Sequence, residues 1–147
     1  MERQRAGRRK AVAIWSRLAL IYKRLDALGE KNFRAMGLNT AWFDVLARVG
    51  AHEGITQGEL AAALSVTKGC VSQLLAKMEK AGLVQRKADG HSRQVWLSAE
   101  GKALAEDLVP SQEARLRDSL WTLSDEEQAE LARLLRKWEK RIKECWA

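Results

Sequence analysis

Side chains that can hydrogen-bond to DNA bases lie together on one predicted helix in the middle of the chain. Between residues 67 and 80, Val71, Leu75 and Met78 recur at helical spacing and define an inward apolar face. Amide and ammonium groups on the opposite face are of the kind that pairs with adenine and guanine edges in the major groove, where a helix fits. The outward residues near the helix start are Thr67, Lys68, Gly69, Ser72 and Gln73. We therefore predict that this face reads DNA.

Positive charge is concentrated around this helix. The chain of 147 residues has 26 Lys and Arg against 19 Asp and Glu, which gives a formal net charge of +7. Residues 65–98 contain six bases and two acids, so this segment alone carries +4. A basic protein indicates a polyanionic partner, either nucleic acid or an anionic membrane surface. Five of the first ten residues are also Lys or Arg, and we interpret residues 1–10 as a basic flexible tail.

Cap residues predict two short helices joined by a tight turn. Thr56 and Glu59 have the spacing of a capping box, in which hydroxyl and carboxylate each satisfy a free amide at a helix start. This box predicts a helix over residues 57–64. Thr67 caps the second helix, which continues to Lys80.

A β-hairpin is predicted directly after these helices. Residues 83–86 and 95–97 have the period of short strands, and the polar residues 88–92 form the turn between them. Because Val95 and Leu97 alternate inward, the side chain between them, Trp96, is expected to face outward. Two helices followed by a hairpin are typical of a winged helix-turn-helix lobe, which we assign to residues 37–98. The candidate DNA contacts in this lobe are Thr56, Gln57, Thr67, Lys68, Gly69, Ser72, Gln73, Lys77, Arg86, Lys87, Asp89, His91 and Arg93.

Longer amphipathic helices flank the lobe. Apolar residues recur at helical spacing over residues 11–28, and Gly29 predicts the C-terminal stop. Asn39 is a favourable N-cap for the following helix. Near the C-terminus, Pro110 is expected to kink or restart one helix, and Ser124 opens a second capping box. The predicted fold class is mainly α with a small β-wing.

Several functional classes are excluded by composition and motifs. No apolar run approaches the roughly 20 residues of a membrane-spanning helix and no apolar stretch follows the basic N-terminus, so we expect a cytoplasmic protein. Two cysteines, Cys70 and Cys145, do not make a disulfide scaffold. The chain lacks nucleophile-elbow, phosphate-loop and paired-histidine motifs, and its His and Cys residues lack ligand spacing. We therefore expect no enzymatic activity, no cofactor and no metal site.

The joined helix and hairpin resemble the MarR family of bacterial transcriptional regulators. The similarity lies in the phrase VTKGCVSQLLAKMEKAGLV, in Asp89 six residues before Val95, and in the closing VWLSAEG. The segment GLNTAWFDVL is similar to the one that leads into the family's second helix. The resemblance spans nearly the whole chain and implies a regulator, most simply a repressor that blocks a promoter.

One departure from the family pattern lies at the tip of the wing. Members usually carry an arginine two residues after the aspartate, and it reaches into the minor groove. This chain has His91 at that position and Arg93 two residues further on. Narrow minor grooves attract guanidinium groups, so Arg93 can take the role instead. His91 and Arg93 both stay candidates.

The resemblance also implies a homodimer that sets two winged lobes on a pseudo-palindromic operator. The apolar stripes of the flanking helices agree with this, because they need a partner surface. We assign residues 11–36 and 99–147 to a helical dimerisation region. The candidate interface residues are Ile14, Leu18, Leu120, Leu131, Leu135, Trp138 and Ile142.

A small effector that releases the DNA is implied in the same way. Many family members bind an aromatic, often anionic, compound between the dimer helices and the DNA-binding lobe. The candidate pocket residues are Trp15, Arg17, Tyr22, Met36, Trp42 and Phe43, with Arg34 as an alternative carboxylate partner.

Three alternatives stay open at this point. The chain could bind DNA without an effector, or under redox control through Cys70 in the recognition helix. It could also be an interaction module that has lost specific DNA binding, which the His91 departure favours. The salt dependence of DNA affinity distinguishes a specific DNA-binding protein from the interaction module, because phosphate contacts make the affinity for DNA fall steeply with added salt.

Overall fold

The computed structural model describes the backbone of residues 2–146 and the side chains of residues 5–88 and 90–145. Over these residues the chain folds into helices and a small sheet, as predicted. The elements in chain order are α1 (Glu2–Ala35), α2 (Thr40–Ala51), β1 (Ile55–Thr56), α3 (Gln57–Ala63), α4 (Lys68–Lys80), β2 (Val84–Asp89), β3 (Ser92–Leu97), α5 (Ala99–Ser119) and α6 (Asp125–Trp146). The chain divides into two compact units, Met1–Pro110 and Ser111–Ala147. No helix of the described part is both long and apolar enough to cross a membrane.

The hydrophobic core of the first unit lies where α2, α3, α4 and the sheet meet. Its fully buried side chains include Leu46 of α2, Leu60 of α3 and Leu75 of α4. Val84 and Val95 contribute from the two strands of the hairpin. Burying a Leu or Val side chain stabilises the fold by roughly 1.5–3 kcal/mol each, so this cluster holds the lobe together.

The sheet has three antiparallel strands in the order β1-β3-β2. In the hairpin, Val84 lies opposite Leu97 and Asp89 opposite Ser92, which leaves a tight turn at its tip. The sequence did not reveal β1, which is only two residues long and pairs Ile55 with Val95. This short strand makes β3 the central strand and ties the base of the hairpin to the start of α3.

Three predicted helix caps are present. The Asn39 Oδ1 accepts a hydrogen bond from the Trp42 N–H at 2.9 Å. Thr56 and Glu59 form the complete capping box at the start of α3. In the second box, the Ser124 N–H donates to Glu127 Oε2 at 2.9 Å and the Glu127 N–H donates to Ser124 Oγ at 3.2 Å. These helix starts are therefore set by local chemistry.

The first helix differs from its prediction at both ends. It already begins at Glu2, within the segment predicted as a tail, and it ends at Ala35. Gly29 is not the stop but a buried residue inside the helix. After Ala35 the chain turns away from the helix at Gly37, whose φ of 72° is left-handed. The Leu38 N–H closes this turn by donating to the Phe33 carbonyl at 2.9 Å. Glycine favours a helix end where the chain turns left-handed, as it does at Gly37.

The helix does not restart at Pro110, which was one of the two expected effects of this residue. Helix α5 is continuous over Ala99–Ser119 with Pro110 inside it. Proline inside a helix removes one backbone hydrogen bond and crowds the carbonyl four residues before it, so α5 continues past Pro110 in spite of this cost. The boundary between the two compact units nevertheless falls directly after Pro110.

Ser98 joins α5 to the turn between α4 and β2. Its N–H donates to the Leu83 carbonyl at 3.0 Å, and its Oγ donates to the Gly82 carbonyl at 2.6 Å. The same Oγ accepts the Gly101 N–H at 3.0 Å and so caps the helix. Gly101 lies so close to the Leu83 carbonyl that no Cβ fits there.

The first prediction tests this close approach. We expect Gly101→Ala to lower the free energy of unfolding by about 2 kcal/mol or more, because the new methyl meets the Leu83 backbone and must displace it. Urea denaturation at fixed protein concentration measures the change.

The matched control is Gly50→Ala, also in a helix. A Cβ there would meet Leu97 Cδ1 at 3.5 Å, an ordinary contact. We expect a gain of about 0.5–1 kcal/mol, since alanine is the better helix former. Equal stability of the two variants would contradict the assigned packing of Gly101.

Candidate nucleic-acid interface

The apolar face of α4 determines which of its side chains meet solvent. Val71, Leu75 and Met78 are fully buried. Thr67 caps the helix, and its Oγ1 accepts the Cys70 N–H at 3.2 Å. The opposite face is exposed at Thr67, Lys68, Gly69, Gln73 and Lys77 and half-buried at Ser72. The outward face predicted for this helix is therefore the one that the structure presents.

A tight turn places the starts of α3 and α4 side by side. Ser65 adopts a left-handed φ of 54°, and the Val66 N–H donates to the Ala61 carbonyl at 3.0 Å. Gly58, near the start of α3, consequently lies against Lys68, because a Cβ at Gly58 would be 3.5 Å from the Lys68 Cε. The two helices thus have the arrangement of a helix-turn-helix.

The hairpin β2–β3 forms the wing. Gly90 at its tip has a φ of 57°, which favours glycine at this turn. His91 and Arg93 beside it are exposed. Asp89 ends β2, and its side chain, a predicted DNA contact, lies outside the described residues.

A cleft of about 540 Å³ lies between the start of α4 and the wing, and we call it the α4–wing cleft. One wall is formed by the start of α4, the other by the wing tip, and the floor by the start of α3. Its lining residues are Thr56, Gln57, Gly58, Lys68, Gly69, Ser72, His91, Ser92 and Arg93. Seven of these were predicted as DNA contacts, and the sequence reasoning missed Gly58 and Ser92. Gly58 has no side chain that could bind DNA and lines the cleft with its backbone, so its residue type did not predict this position.

The floor of the α4–wing cleft holds a hydrogen-bond donor without a partner. The Gln57 Nε2 is buried, and among the described residues nothing accepts a hydrogen bond from it. Leaving such a donor unpaired costs about 1–3 kcal/mol, a cost that a bound oxygen removes. Lys68 and Arg93 add one positive charge on each wall. The cleft is therefore suited to an anion with several acceptor oxygens.

Thr56 contributes less to the cleft than its position suggests. Its Oγ1 donates to Glu59 Oε2 at 2.8 Å and accepts the Glu59 N–H at 3.2 Å. The Thr56 backbone N–H donates to the same Oε2 at 2.9 Å. This bond, followed by the one from the hydroxyl, lowers the pKa of the Glu59 carboxyl. The Thr56 hydroxyl is thus occupied in holding the helix start.

Arg86 is held by a carboxylate of α4. Its Nη2 and Nε donate to Glu79 Oε2 at 2.7 and 3.1 Å, and its backbone N–H donates to Glu79 Oε1 at 3.3 Å. The Arg86 side chain is only 14% exposed. Its side-chain hydrogen bonds are the main cause of the lowered pKa of Glu79. Although Arg86 was predicted to contact DNA, this geometry makes it a brace between α4 and the wing.

Lys87 and Trp96 lie together on the other face of the wing. The Lys87 Nζ is 5.5 Å from the centre of the Trp96 ring, within range of a cation–π interaction. Trp96 alternates with the buried Val95 and Leu97 as predicted, and its side chain is half-buried. Its ring covers Gly54, where a Cβ would approach Trp96 Cζ2 to 2.9 Å. Because Gly54 has no side chain, the Trp96 ring can pack directly on its backbone. The sequence pattern does not predict this contact.

The predicted effector residues do not form one group. Trp15 and Tyr22 of α1 are 60% and 66% exposed, and Met36 and Arg17 are exposed as well. Phe43 instead stacks on Phe33 with ring centres 4.6 Å apart, and Trp42 also packs against the core. The alternative carboxylate partner, Arg34, lies 3.6 Å from Glu30. Trp42 and Phe43 are half-buried against the core, which limits the surface that they offer to a ligand.

The predicted interface residues present apolar surface within each unit. Ile14, Leu131, Leu135 and Ile142 are exposed, and Leu18, Leu120 and Trp138 are half-buried. Exposed large apolar side chains in this number are unusual for a monomer. Cys70 and Cys145 are both free and exposed.

Comparison with known proteins agrees with this architecture. Residues 36–94 match the model of the MarR family. An HTH-type transcriptional regulator of Bacillus cereus is 34% identical over 126 residues, which cover 84% of this chain and 85% of the relative. The transcriptional regulator HosA of Escherichia coli O157:H7 is 36% identical over 98 residues, covering 65% and 73% of the two chains. The S. aureus MepR–DNA complex has the same fold, with a TM-score of 0.78 at 23% identity over 85% of this chain and 94% of that one.

A winged helix-turn-helix lobe with a basic cleft beside its recognition helix defines a DNA-binding transcriptional regulator. The chain belongs to the MarR family. Its family and its relatives are transcriptional regulators, not enzymes.

The second prediction concerns the brace between Glu79 and Arg86. The pKa of Glu79 is lowered from its ordinary value of 4.5 in the folded state, so the pair stabilises the fold above that pH. The stabilisation is lost as the pH falls through the lower, folded-state pKa. We expect Glu79→Gln to cost about 0.5–1 kcal/mol at pH 7, a small value because Glu79 is 40% exposed and water screens the pair. Urea denaturation from pH 7 to pH 3 should show this difference shrinking.

The control variant is Glu130→Gln on α6, which removes an equally short ion pair with Arg133 at 2.7 Å. Both partners there are open to solvent, so we expect a smaller effect. A Glu79 variant that matches the control at every pH would show that Arg86 is not a brace.

Proposed function

We propose that the chain is a homodimeric repressor that holds operator DNA in the α4–wing cleft. The main support is the convergence of seven predicted contact residues on this cleft. One sugar-phosphate strand separates the major from the minor groove of DNA. A recognition helix in one groove and a wing in the other therefore have that strand between them. The unpaired Gln57 amide on the floor is a donor for a phosphate oxygen.

The proposed contacts fall into two groups. Gln73 and Lys68 at the start of α4 reach base edges in the major groove, with Thr67, Gly69 and Ser72 allowing close approach. Arg93, with His91 beside it, enters the minor groove. Lys77 and Lys87 meet phosphates and position the lobe. Arg86 is left out because Glu79 holds it.

A dimer is the form in which such a lobe reads a pseudo-palindrome. The exposed apolar residues on α1 and α6 are the proposed contact surface between copies. Its partners are thus double-stranded DNA and a second copy of the chain, and we place it in the cytoplasm with the DNA that it regulates. The relative MepR is known in complex with DNA.

Release by a small aromatic or anionic effector completes the proposal. The exposed Trp15 and Tyr22 on α1 offer aromatic surface, and Arg17 lies on the same helix. Trp42 and Phe43 offer less surface to it, because both are half-buried against the core.

The deciding experiment is selection and sequencing of genomic fragments that bind the purified protein at about 0.15 M salt, near physiological screening. We expect one enriched inverted repeat upstream of a few genes. Enrichment of no particular sequence at any salt concentration would instead support an interaction module.

The third prediction separates base reading from phosphate contact. We expect Gln73→Ala to reduce the preference for the selected site by about 1–3 kcal/mol, because one base contact is lost. Lys87→Ala should weaken binding to all sequences alike and lower the salt slope by about one. Fluorescence anisotropy with the selected and a scrambled duplex measures both. An unchanged preference in Gln73→Ala would mean that another residue reads the site.

The fourth prediction concerns the dimer. We expect Leu135→Glu on α6 to give a monomer, because it places a charge in an apolar contact. Lys137→Glu, an exposed position on the same helix, should leave the dimer intact. Sedimentation velocity of the two variants and the natural chain measures this. A monomeric natural chain would refute the dimer.

A further inference from the structure

The whole formal net charge of +7 comes from the first 25 residues of the chain. These contain eight Lys and Arg and one acid, Glu2, whereas residues 26–147 contain 18 bases and 18 acids. The excess positive charge therefore belongs to α1 and not to the winged lobe, whose bases are balanced over the rest of the chain.

The most basic part of α1 is open to solvent. We call it the α1 basic segment and define it as Arg5, Arg8, Arg9 and Lys10. All four side chains are exposed, and among the described residues no carboxylate pairs with any of them. They are thus available to an anion from outside the chain, unlike Arg86, which Glu79 holds.

Uncompensated charge of this kind works against the helix that carries it. Arg5 and Arg9 are four positions apart, so their guanidinium groups are neighbours on one side of α1 and repel each other. On α6, in contrast, bases have acidic partners three or four positions away, such as Arg133 with Glu130. A local arrangement that costs stability without a compensating contact is typical of a functional surface. A bound polyanion would remove the repulsion.

The α1 basic segment lies apart from the α4–wing cleft. Helix α1 joins the core of the lobe through the buried Phe33, which stacks on Phe43 of α2. At 1.5 Å per residue, Lys10 is about 35 Å from Phe33 along the helix axis. None of the residues that line the cleft belongs to α1. An anion on this segment is therefore not the strand held between α4 and the wing.

The side of α1 that carries Arg5 and Arg9 is also separate from its apolar face. By helical spacing, these two positions lie nearly opposite to Ile14 and Ile21, which are exposed and belong to the apolar surface of α1. When a second copy of the chain covers that apolar surface, the two arginines remain open to solvent.

The chemistry of the α1 basic segment favours DNA over a membrane surface. The only other residues within it are Ala6 and Gly7, so it has no large apolar side chain to insert between lipids. Three of its four bases are arginines, whose planar guanidinium groups bind phosphate oxygens in a bidentate manner. Duplex DNA offers phosphates at a density of about one per 1.7 Å of its axis, which matches a dense cluster of bases.

We propose that the α1 basic segment binds the sugar-phosphate backbone of a second DNA duplex, independently of sequence. The protein then holds two separate duplexes, one in the α4–wing cleft and one on α1. The identity of the first duplex rests on the proposed function, whereas the contact on α1 does not.

The test is a bridging assay. A short duplex of the selected site, about two helical turns long, is fixed to beads and saturated with protein, so that the α4–wing clefts are filled. A fluorescent duplex of unrelated sequence is then added at low salt. We expect the natural chain to retain the unrelated duplex on the beads.

Two triple variants give the comparison. Arg5→Gln, Arg8→Gln and Arg9→Gln together should reduce retention of the unrelated duplex about tenfold or more, because three phosphate contacts are lost. The affinity for the short selected duplex should change less than about twofold, since these residues lie outside the cleft. The matched control removes three exposed bases of α6 by Arg136→Gln, Lys137→Gln and Lys140→Gln, and should retain the unrelated duplex as the natural chain does. Circular dichroism shows whether each variant is folded.

A second measurement does not need an operator. Anisotropy of the unrelated duplex over a range of salt concentrations gives the salt slope of non-specific binding, which the α1 triple variant should lower by about three for each chain in contact. Lys68→Glu disables the cleft and should leave this part of the binding in place. If no selected site exists, the proposed function fails, and this measurement still decides the contact on α1.

Several results would overturn the proposal. Retention that survives in the α1 variant, or that is lost equally in the α6 variant, shows that the α1 basic segment is not the contact. Weaker binding of the α1 variant to a longer selected duplex, without retention of the unrelated one by the natural chain, places the contact on the same DNA. Binding to vesicles of phosphatidylglycerol and phosphatidylcholine that depends on the segment, with no effect on DNA, shows that its partner is a membrane surface.

Discussion

The burial of one face of α4 is the constraint on which the DNA-binding surface depends. Val71, Leu75 and Met78 have no exposed surface, so the helix has one rotation about its axis. Any other rotation would expose a large apolar side chain at a cost of roughly 1.5–3 kcal/mol each. Lys68 and Gln73 face solvent because they lie on the side of α4 opposite to the apolar face that is buried in the core.

The wing is positioned by contacts that are mostly polar and local. The brace from Glu79 to Arg86 connects β2 to α4, and the pairing of β1 with β3 connects the hairpin to the start of α3. Ser98 then fixes the start of α5 against the turn that precedes β2. Both walls of the α4–wing cleft are therefore connected to the same small core.

Helix starts and the DNA-facing residues could be predicted from sequence because their causes are local. A cap involves residues three positions apart, and the rotation of α4 follows from its own apolar period. The missed features depend on distant residues. Strand β1 is formed by its pairing with β3, and Arg86 is paired with Glu79 of another element. Residue spacing does not predict contacts between distant residues. From the sequence alone, a basic wing residue that pairs with a carboxylate cannot be distinguished from one that is free to contact DNA.

The contact between Trp96 and Gly54 has a consequence for how relatives of this protein diverge. The indole ring occupies the space that a side chain at position 54 would need. The two positions are therefore not free to vary independently. A descendant that acquires a larger residue at 54 must first, or at the same time, replace the tryptophan by a smaller side chain. Replacing Trp96 alone would remove the clash but not the left-handed φ of 83° at Gly54. A larger residue at 54 therefore strains the backbone as well, and two separate constraints hold glycine at this position.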